Sequence, residues 1–479
     1  MMMQKFLLAA VLTVVSLSSA HAGVSGETTE FTSPGGLTER CVRIEPLQGA
    51  HYSKHDRRDE RAYCELDVHA LALCPKLWST SPGTIIYDIG KDVSAQEIAA
   101  WEAQQCGAGH HARQAARHKP AVFKVSVNDR DTSATYAPSS WVYYHLSRFL
   151  HAGVHVPVSV YRSMDAAIHH ERVVKPGLQL SGGKRSLRML NAGWRFLDEV
   201  ETGRKTGAAA QAALTDGGRQ VFGVLIDNDG DRYGPEFNGV RESGWGSGQN
   251  YDFQQTAPFL ALRDPAPVVE AARNAVHEAR KNPRMAKALA ADTPVEQVAF
   301  WMQDVLEITL LDYVLGQQDR IGNIDYIWRW YWIEDGKLES KRAHGREVPE
   351  DLAAFKPVRL RQSAINDNDA GVRRGYADFA QRTHMLEELR HYSPRLYRRF
   401  GLLAADLGAK GPIYQWMTAS AGLSVKEADT IASRAIEAFT LLRVDCEKGA
   451  LKLDLEPARL LTAAGPGEPE AVSCAIDAP

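Results

Sequence analysis

The sequence has no excess of charge of either sign. Its 56 Lys and Arg stand against 59 Asp and Glu, for a net charge of −3. That balance argues against a nucleic-acid binder, which would carry a basic excess. It leaves room for a small anionic ligand, which needs only a local basic site. Beyond the N-terminus no apolar run is long enough and free enough of charge to span a bilayer. There is no GxGxxG, GxSxG or HExxH motif. The usual glycine-rich phosphate loop, nucleophile elbow and zinc-protease helix are therefore excluded. Cysteine is scarce, at six, and neither CxxC nor a clustered Cys/His spacing argues for a metal site.

What is there begins with a targeting signal. Lys5 supplies a positive start, Phe6 to Leu17 a short apolar core, and Ala20-His21-Ala22 a small-x-small cleavage site. The chain is expected to be exported, periplasmic or secreted, after cleavage near Ala22. In an oxidising compartment an even cysteine count reads as disulfides. Two bridges are expected among Cys41, Cys64, Cys74 and Cys106, with their connectivity open, and one between Cys446 and Cys474.

The most informative stretch runs from Thr293 to Asn323. Thr293, Pro294 and Glu296 predict a capped helix start. Val298, Trp301, Met302, Val305, Ile308, Leu311 and Leu315 recur at helical spacing, and Gly316 is a natural terminator. Asp319, Arg320 and Asn323 come directly after it. A second acidic cluster, with Asp367 and Asp369 inside Asn366–Gly371, succeeds a strand-like run Val358–Ile365. Between the clusters lies a strong strand, Ile327–Ile333, closed by a turn at Glu334–Gly336. Helix, acidic loop with Asn, two strands, acidic loop with Gly is the order in which kinases assemble a nucleotide site. Upstream, Ala121–Val127 predicts a strand carrying Lys124 between β-branched residues. Such a lysine either holds nucleotide phosphates or guards a sheet edge.

Leu311–Arg320 resembles the catalytic loop of atypical kinases: the secretory-pathway (Golgi casein kinase) family, the HipA-like kinases and the phosphoinositide lipid kinases. Ile365–Asp369 resembles their metal-binding Asp segment. Trp141–Pro157 is similar to the helix that precedes a Val-Pro in the secretory kinases. The resemblance implies an α+β, two-lobed protein-kinase-like fold. It would comprise a signal peptide at 1–22, a Cys-containing extension at 23–110, an N-lobe at 111–235 and a mainly helical C-lobe at 236–479. It implies metal-dependent transfer of the γ-phosphate of ATP to a hydroxyl acceptor, protein or sugar. Lys124 would bind the nucleotide, and Asp319 would orient or deprotonate the acceptor. Asp367 and Asn323 would hold Mg²⁺ or Mn²⁺, Arg320 would brace the loop, and Asp369 would lend a further oxygen.

Three departures accompany it. No acid lies in Ala137–Ala152 to pair with the lysine, where Ser140 stands instead; either Asp129, Asp131 or Glu171 substitutes, or the lysine pair is absent. Asn323 comes four residues after Asp319, where these families usually use five. The gap from Asn323 to Asp367, 367 − 323 = 44 residues, implies an insertion around Lys337–Lys356. Two other classes stay open: a nucleotide- or metal-binding pseudokinase acting as a scaffold, and a secreted hydrolase with an unrecognised site. Elsewhere, Asp227, Asp229 and Asp231 space like the start of a calcium loop. Arg232 at the sixth place and Asn238 at the twelfth favour a hinge turn instead. Arg373 and Arg374 read as a basic turn or a contact for an anionic substrate.

Overall fold

The computed structural model describes residues 23–227, 230–373, 377–462 and 473–475. The expected signal peptide, Asn228 and Asp229 of the calcium-like stretch, and Arg374 lie outside the described residues. The fold is mixed α/β with two antiparallel sheets.

The larger sheet contains β1 (Gly26–Thr32), β2 (Thr38–Ile44), β3 (Ala72–Pro75), β4 (Thr84–Asp88), β5 (His118–Val125), β6 (Ser159–Asp165), β7 (Leu214–Thr215) and β8 (Gln220–Ile226). Their spatial order is β1-β2-β6-β8-β5-β4-β3, with β7 on β8. Alternation along β5 sends Phe123 and Val125 into one apolar core with Trp194 and Leu197. Val122 faces the other core, with Trp141 and Tyr144 of helix Ala137–Leu150. Both faces are thus covered, and β5 lies between β4 and β8. Lys124 is therefore in mid-sheet, and the edge-guard reading fails. The expected boundary at residue 110 also falls inside this sheet. β1 to β4 hydrogen-bond into it, Cys41 opposite Arg162 on β6 and Thr84 opposite Phe123 on β5.

All six cysteines pair. Cys41–Cys64 ties β2 to helix Lys54–Cys64, Cys74–Cys106 ties β3 to the end of helix Ala95–Gln105, and Cys446–Cys474 holds the tail to helix Val425–Glu447. Among the described residues no helix is long and apolar enough to cross a membrane.

The second half is built on helix Val295–Leu315, buried without a break from Gln297 to Leu315. Its start differs from expectation. Pro294 sits at the cap and offers no side-chain hydrogen bond, while the Thr293 hydroxyl donates back to the Ala290 carbonyl at 2.8 Å. The hydroxyl is spent on the preceding turn, so burial rather than a capping box supports this end. Gly316 closes the helix in the left-handed region, φ 62°, as expected. The smaller sheet comes next in the chain: β10 (Ile324–Glu334), β11 (Lys337–Arg342) and β12 (Val358–Ile365) in the order β11-β10-β12, with β9 (Asp231–Arg232) on β10. β11 and the turn Glu350–Phe355 occupy the expected insertion.

The alanine-rich 265–291 region forms helices Val268–Ala279 and Pro283–Ala288, and Ala271, Ala272, Ala275 and Ala279 are buried. Between 186 and 222 the long regular helix is Arg188–Glu201; beyond it, glycines at 203, 207, 217 and 218 with positive φ break the helical path.

Candidate functional site

Antiparallel pairing brings the two acidic clusters together. Ile324 at the start of β10 pairs with Ile365 at the end of β12. The loop before one strand must therefore lie beside the loop after the other. The Asn366 N–H donates to the Asn323 carbonyl at 3.3 Å, the Gln318 N–H to Ala370 at 3.0 Å, and the Gln317 side-chain amide to the Asp367 carbonyl at 3.2 Å. Val372 N–H closes onto the last helical residue, Leu315, at 2.6 Å.

Arg320 is the pin of this floor. It is 5 % exposed. Its Nε donates to Asp312 Oδ2 at 3.0 Å and its Nη2 to Asp312 Oδ1 at 3.0 Å and Asn368 Oδ1 at 2.8 Å; Nη1 reaches the Asn366 carbonyl. One guanidinium thus ties the helix end to both loops. Tyr143 from the sheet side donates to the same Asp312 at 2.9 Å.

Above the floor sits Lys124, 2 % exposed. Its ammonium lies 2.8 Å from Asp367 Oδ1 and 2.9 Å from Asp369 Oδ1. Burial alone would lower its pKa, but the two carboxylates outweigh it and hold the group above the ordinary lysine value. Burial would likewise raise Asp367, yet Lys124, then Lys76, pull it below the ordinary carboxylate range. Asp367 adopts φ 51°, a conformation Asp tolerates better than most residues. Lys124 is thus paired from the floor and not from helix Ala137–Leu150. The substitutes named from sequence are engaged elsewhere: Asp129 pairs with Lys205 at 2.5 Å and Glu171 with Lys175 at 3.0 Å, while Asp131 sits in a turn at φ 67°. Ser140 is buried with its hydroxyl unpartnered.

Asp319 lies two residues after Gln317, whose side-chain oxygen accepts the Asp319 N–H at 3.0 Å. Burial, then the Asp367 charge, raises the Asp319 pKa; a hydrogen bond from Trp245 works the other way. Asn323 donates its amide to the Asp319 carbonyl at 2.9 Å, and its Oδ1 accepts from Arg232 Nη1 at 2.9 Å.

Lys124 grips Asp367 and Asp369, and those acids line one cleft of about 720 Å³ with Asp319 and Asn323. Its roof is the loop between β3 and β4, which contributes Lys76, Trp78 and Ser79–Ser81. That volume suits a nucleotide-sized ligand. A separate cavity of about 390 Å³ at the opposite end of the sheet, lined by Arg40, Ser163 and Arg219, holds none of these residues. Sequence reasoning missed Lys76, Arg232, Arg241 and Trp245, all of which line the cleft. The one local hint was Lys76 standing before a Ser-Thr-Ser-Pro-Gly turn.

The donor set fits a divalent ion only in part. Asp367 and Asp369 present hard carboxylate oxygens, which suit Mg²⁺ or Mn²⁺. Both are turned to Lys124, and the Asn323 oxygen is turned to Arg232. Among the described residues no group of three or more His, Cys, Asp or Glu is arranged to hold a metal. Arg373, from the expected basic turn, lies over the Tyr136 ring at 4.7 Å. No family model matches the sequence, and no curated protein matches it.

Proposed function

We propose that this cleft binds a nucleoside triphosphate and transfers its terminal phosphoryl group to a hydroxyl acceptor, in a two-lobed, kinase-like arrangement. The observation that carries the reading is the convergence of Asp319, Asp367 and Asp369 on one cleft, with Lys124, from an element far away in sequence, paired to the last two. The placement of parts agrees with kinase practice. The lysine is on the third strand of the run β3-β4-β5, and the loop joining the first two covers the cleft.

Two of the three ammonium protons of Lys124 serve Asp367 and Asp369, which leaves one for a phosphate oxygen. Asp319 receives the acceptor proton. Burial makes it a stronger base than an ordinary carboxylate, which favours proton transfer as the acceptor oxygen bonds to phosphorus. The bond from phosphorus to the bridging oxygen breaks, and nucleoside diphosphate leaves. Arg320 touches no reactant; it fixes the loop that aims Asp319.

A second reading, nucleotide binding without transfer, draws support from Lys124 holding both acids and from Arg232 on Asn323. Labelled ATP separates the two. Asp319→Asn should cut phosphate release to water or to added acceptors by about 100-fold or more, with ATP-induced thermal stabilisation retained. Lys124→Met should abolish that stabilisation. Stabilisation of the wild type with no transfer at all selects the second reading. Full transfer by Asp319→Asn would remove Asp319 from the mechanism.

A further inference from the structure

The oxygen of Asn323, where a kinase-like site would seat its second metal contact, faces a guanidinium. Arg232 is held there from several directions. β9 pairs with β10 so that Arg232 stands opposite Asp325. Its Nε reaches the Asp325 carboxylate, and its Nη1 reaches both the Gly322 carbonyl and Asn323 Oδ1, the last at 2.9 Å. About half of its side chain stays exposed, on the cleft side, where it lines the cavity.

Lys76 enters from the roof. It comes directly after β3, and its backbone N–H donates to the Gly83 carbonyl at 2.8 Å, which anchors the loop. The charges that act on it most strongly are those of Lys124, Asp367 and Asp369, and Lys124 already engages both acids. No carboxylate is paired with Lys76 among the described residues. Burial and the Lys124 charge both push its pKa down, so an incoming anion would relieve an existing cost. Arg241 completes the set. It lies against Gly322, with the Gln249 amide oxygen within 3.2 Å of its Nε and Nη2 once that amide is turned to accept.

We propose that Lys76 and Arg232 meet the phosphate chain of a nucleoside di- or triphosphate directly, so that the cleft binds it through fixed side-chain cations and needs no divalent ion. The inference rests on the cleft being the nucleotide site described above. A guanidinium matches phosphate oxygens in a planar fork, and a lysine serves as a point charge beside it. Positive charge that a metal would bring with the nucleotide is here built into the roof and the floor.

Calorimetric titration of the exported full chain tests this. ATP and inorganic tripolyphosphate are each titrated in EDTA and again in Mn²⁺. The expectation is ATP binding in EDTA within about threefold of that in Mn²⁺. Arg232→Gln and Lys76→Gln should each weaken the EDTA affinity by about tenfold or more, the loss of one charged hydrogen bond. Thermal melts of both variants check folding, and Lys76→Gln keeps the test open if Arg232→Gln misfolds. Binding that needs Mn²⁺ and ignores both substitutions overturns the proposal while leaving the kinase-like reading intact. Tripolyphosphate binding without ATP binding overturns the nucleotide as ligand. No binding of either compound in either condition overturns the proposal and the reading beneath it together.

Discussion

The cleft has a floor and a roof that are held together by different means. The floor is helix Val295–Leu315 with β10 and β12, and it contains no disulfide. Its buried cation, Arg320, spends its donors on Asp312, Asn366 and Asn368, all from the floor itself. The roof is the sheet edge β3-β4-β5, stapled by Cys74–Cys106. Its buried cation, Lys124, has no partner of its own side among the described residues and borrows Asp367 and Asp369 from the floor. A buried charge satisfied within its own layer is a brace. One satisfied only across a cleft can exchange its partner for a ligand. That difference separates Arg320 from Lys124 more sharply than burial does, since both are almost wholly enclosed.

The comparison breaks first at Arg320. Arg320→Met strands Asp312 as an uncompensated buried carboxylate, at a cost of about 3–5 kcal/mol. Arg320→Lys should recover little, because one ammonium cannot bridge three groups in a fork. Urea denaturation measures both. If Arg320→Lys were as stable as the wild type, the brace would be plain charge neutralisation. The roof comes next. Replacing Cys74 and Cys106 by Ser opens a loop of 32 residues, worth about 3–4 kcal/mol of chain entropy. Hydrogen exchange should then show β3 and β4 losing protection before β10 and β12. Equal loss in both sheets would mean that roof and floor unfold as one unit.

The floor was legible from sequence because its signals are local. Val358–Ile365 is a run of alternating and β-branched residues with the same bounds in the structure, and Gly316 ends its helix where a left-handed residue is needed. Asp319 and Asp367 could be paired in advance because two strands joined in antiparallel register return the chain to its starting level. The roof was not legible to the same degree. Its strands within residues 26–88 are short and pair with partners far away, such as Cys41 with Arg162, so their pattern is weak in any local window. The partners of Lys124 lie 243 and 245 residues downstream, beyond any spacing rule. Thr293 misled because a hydroxyl before Pro can turn back to a carbonyl as readily as forward to an amide, and tertiary burial made the cap unnecessary.

The smallest effect concerns a buried acid with no cation as partner among the described residues. Asp304, on the buried helix, accepts the Ser363 N–H at 2.9 Å and has Glu307 beside it. Burial, then the Glu307 charge, pushes its pKa well above the ordinary carboxylate value. The folded protein therefore holds this proton to higher pH than the unfolded chain does. Between the two values the native state binds more protons, so stability falls as pH rises, beginning near the unfolded Asp value of about 4. Asp304→Asn keeps the carbonyl that accepts from Ser363 and removes the titration. The stability difference between wild type and variant should shift toward the variant with rising pH, by about 1.4 kcal/mol for each unit that separates the two pKa values. Urea denaturation from pH 4 to pH 7 reads it directly. A difference that stays flat across that range would mean Asp304 is ionised in the fold, and the floor, like the roof, would then be carrying an exchangeable charge.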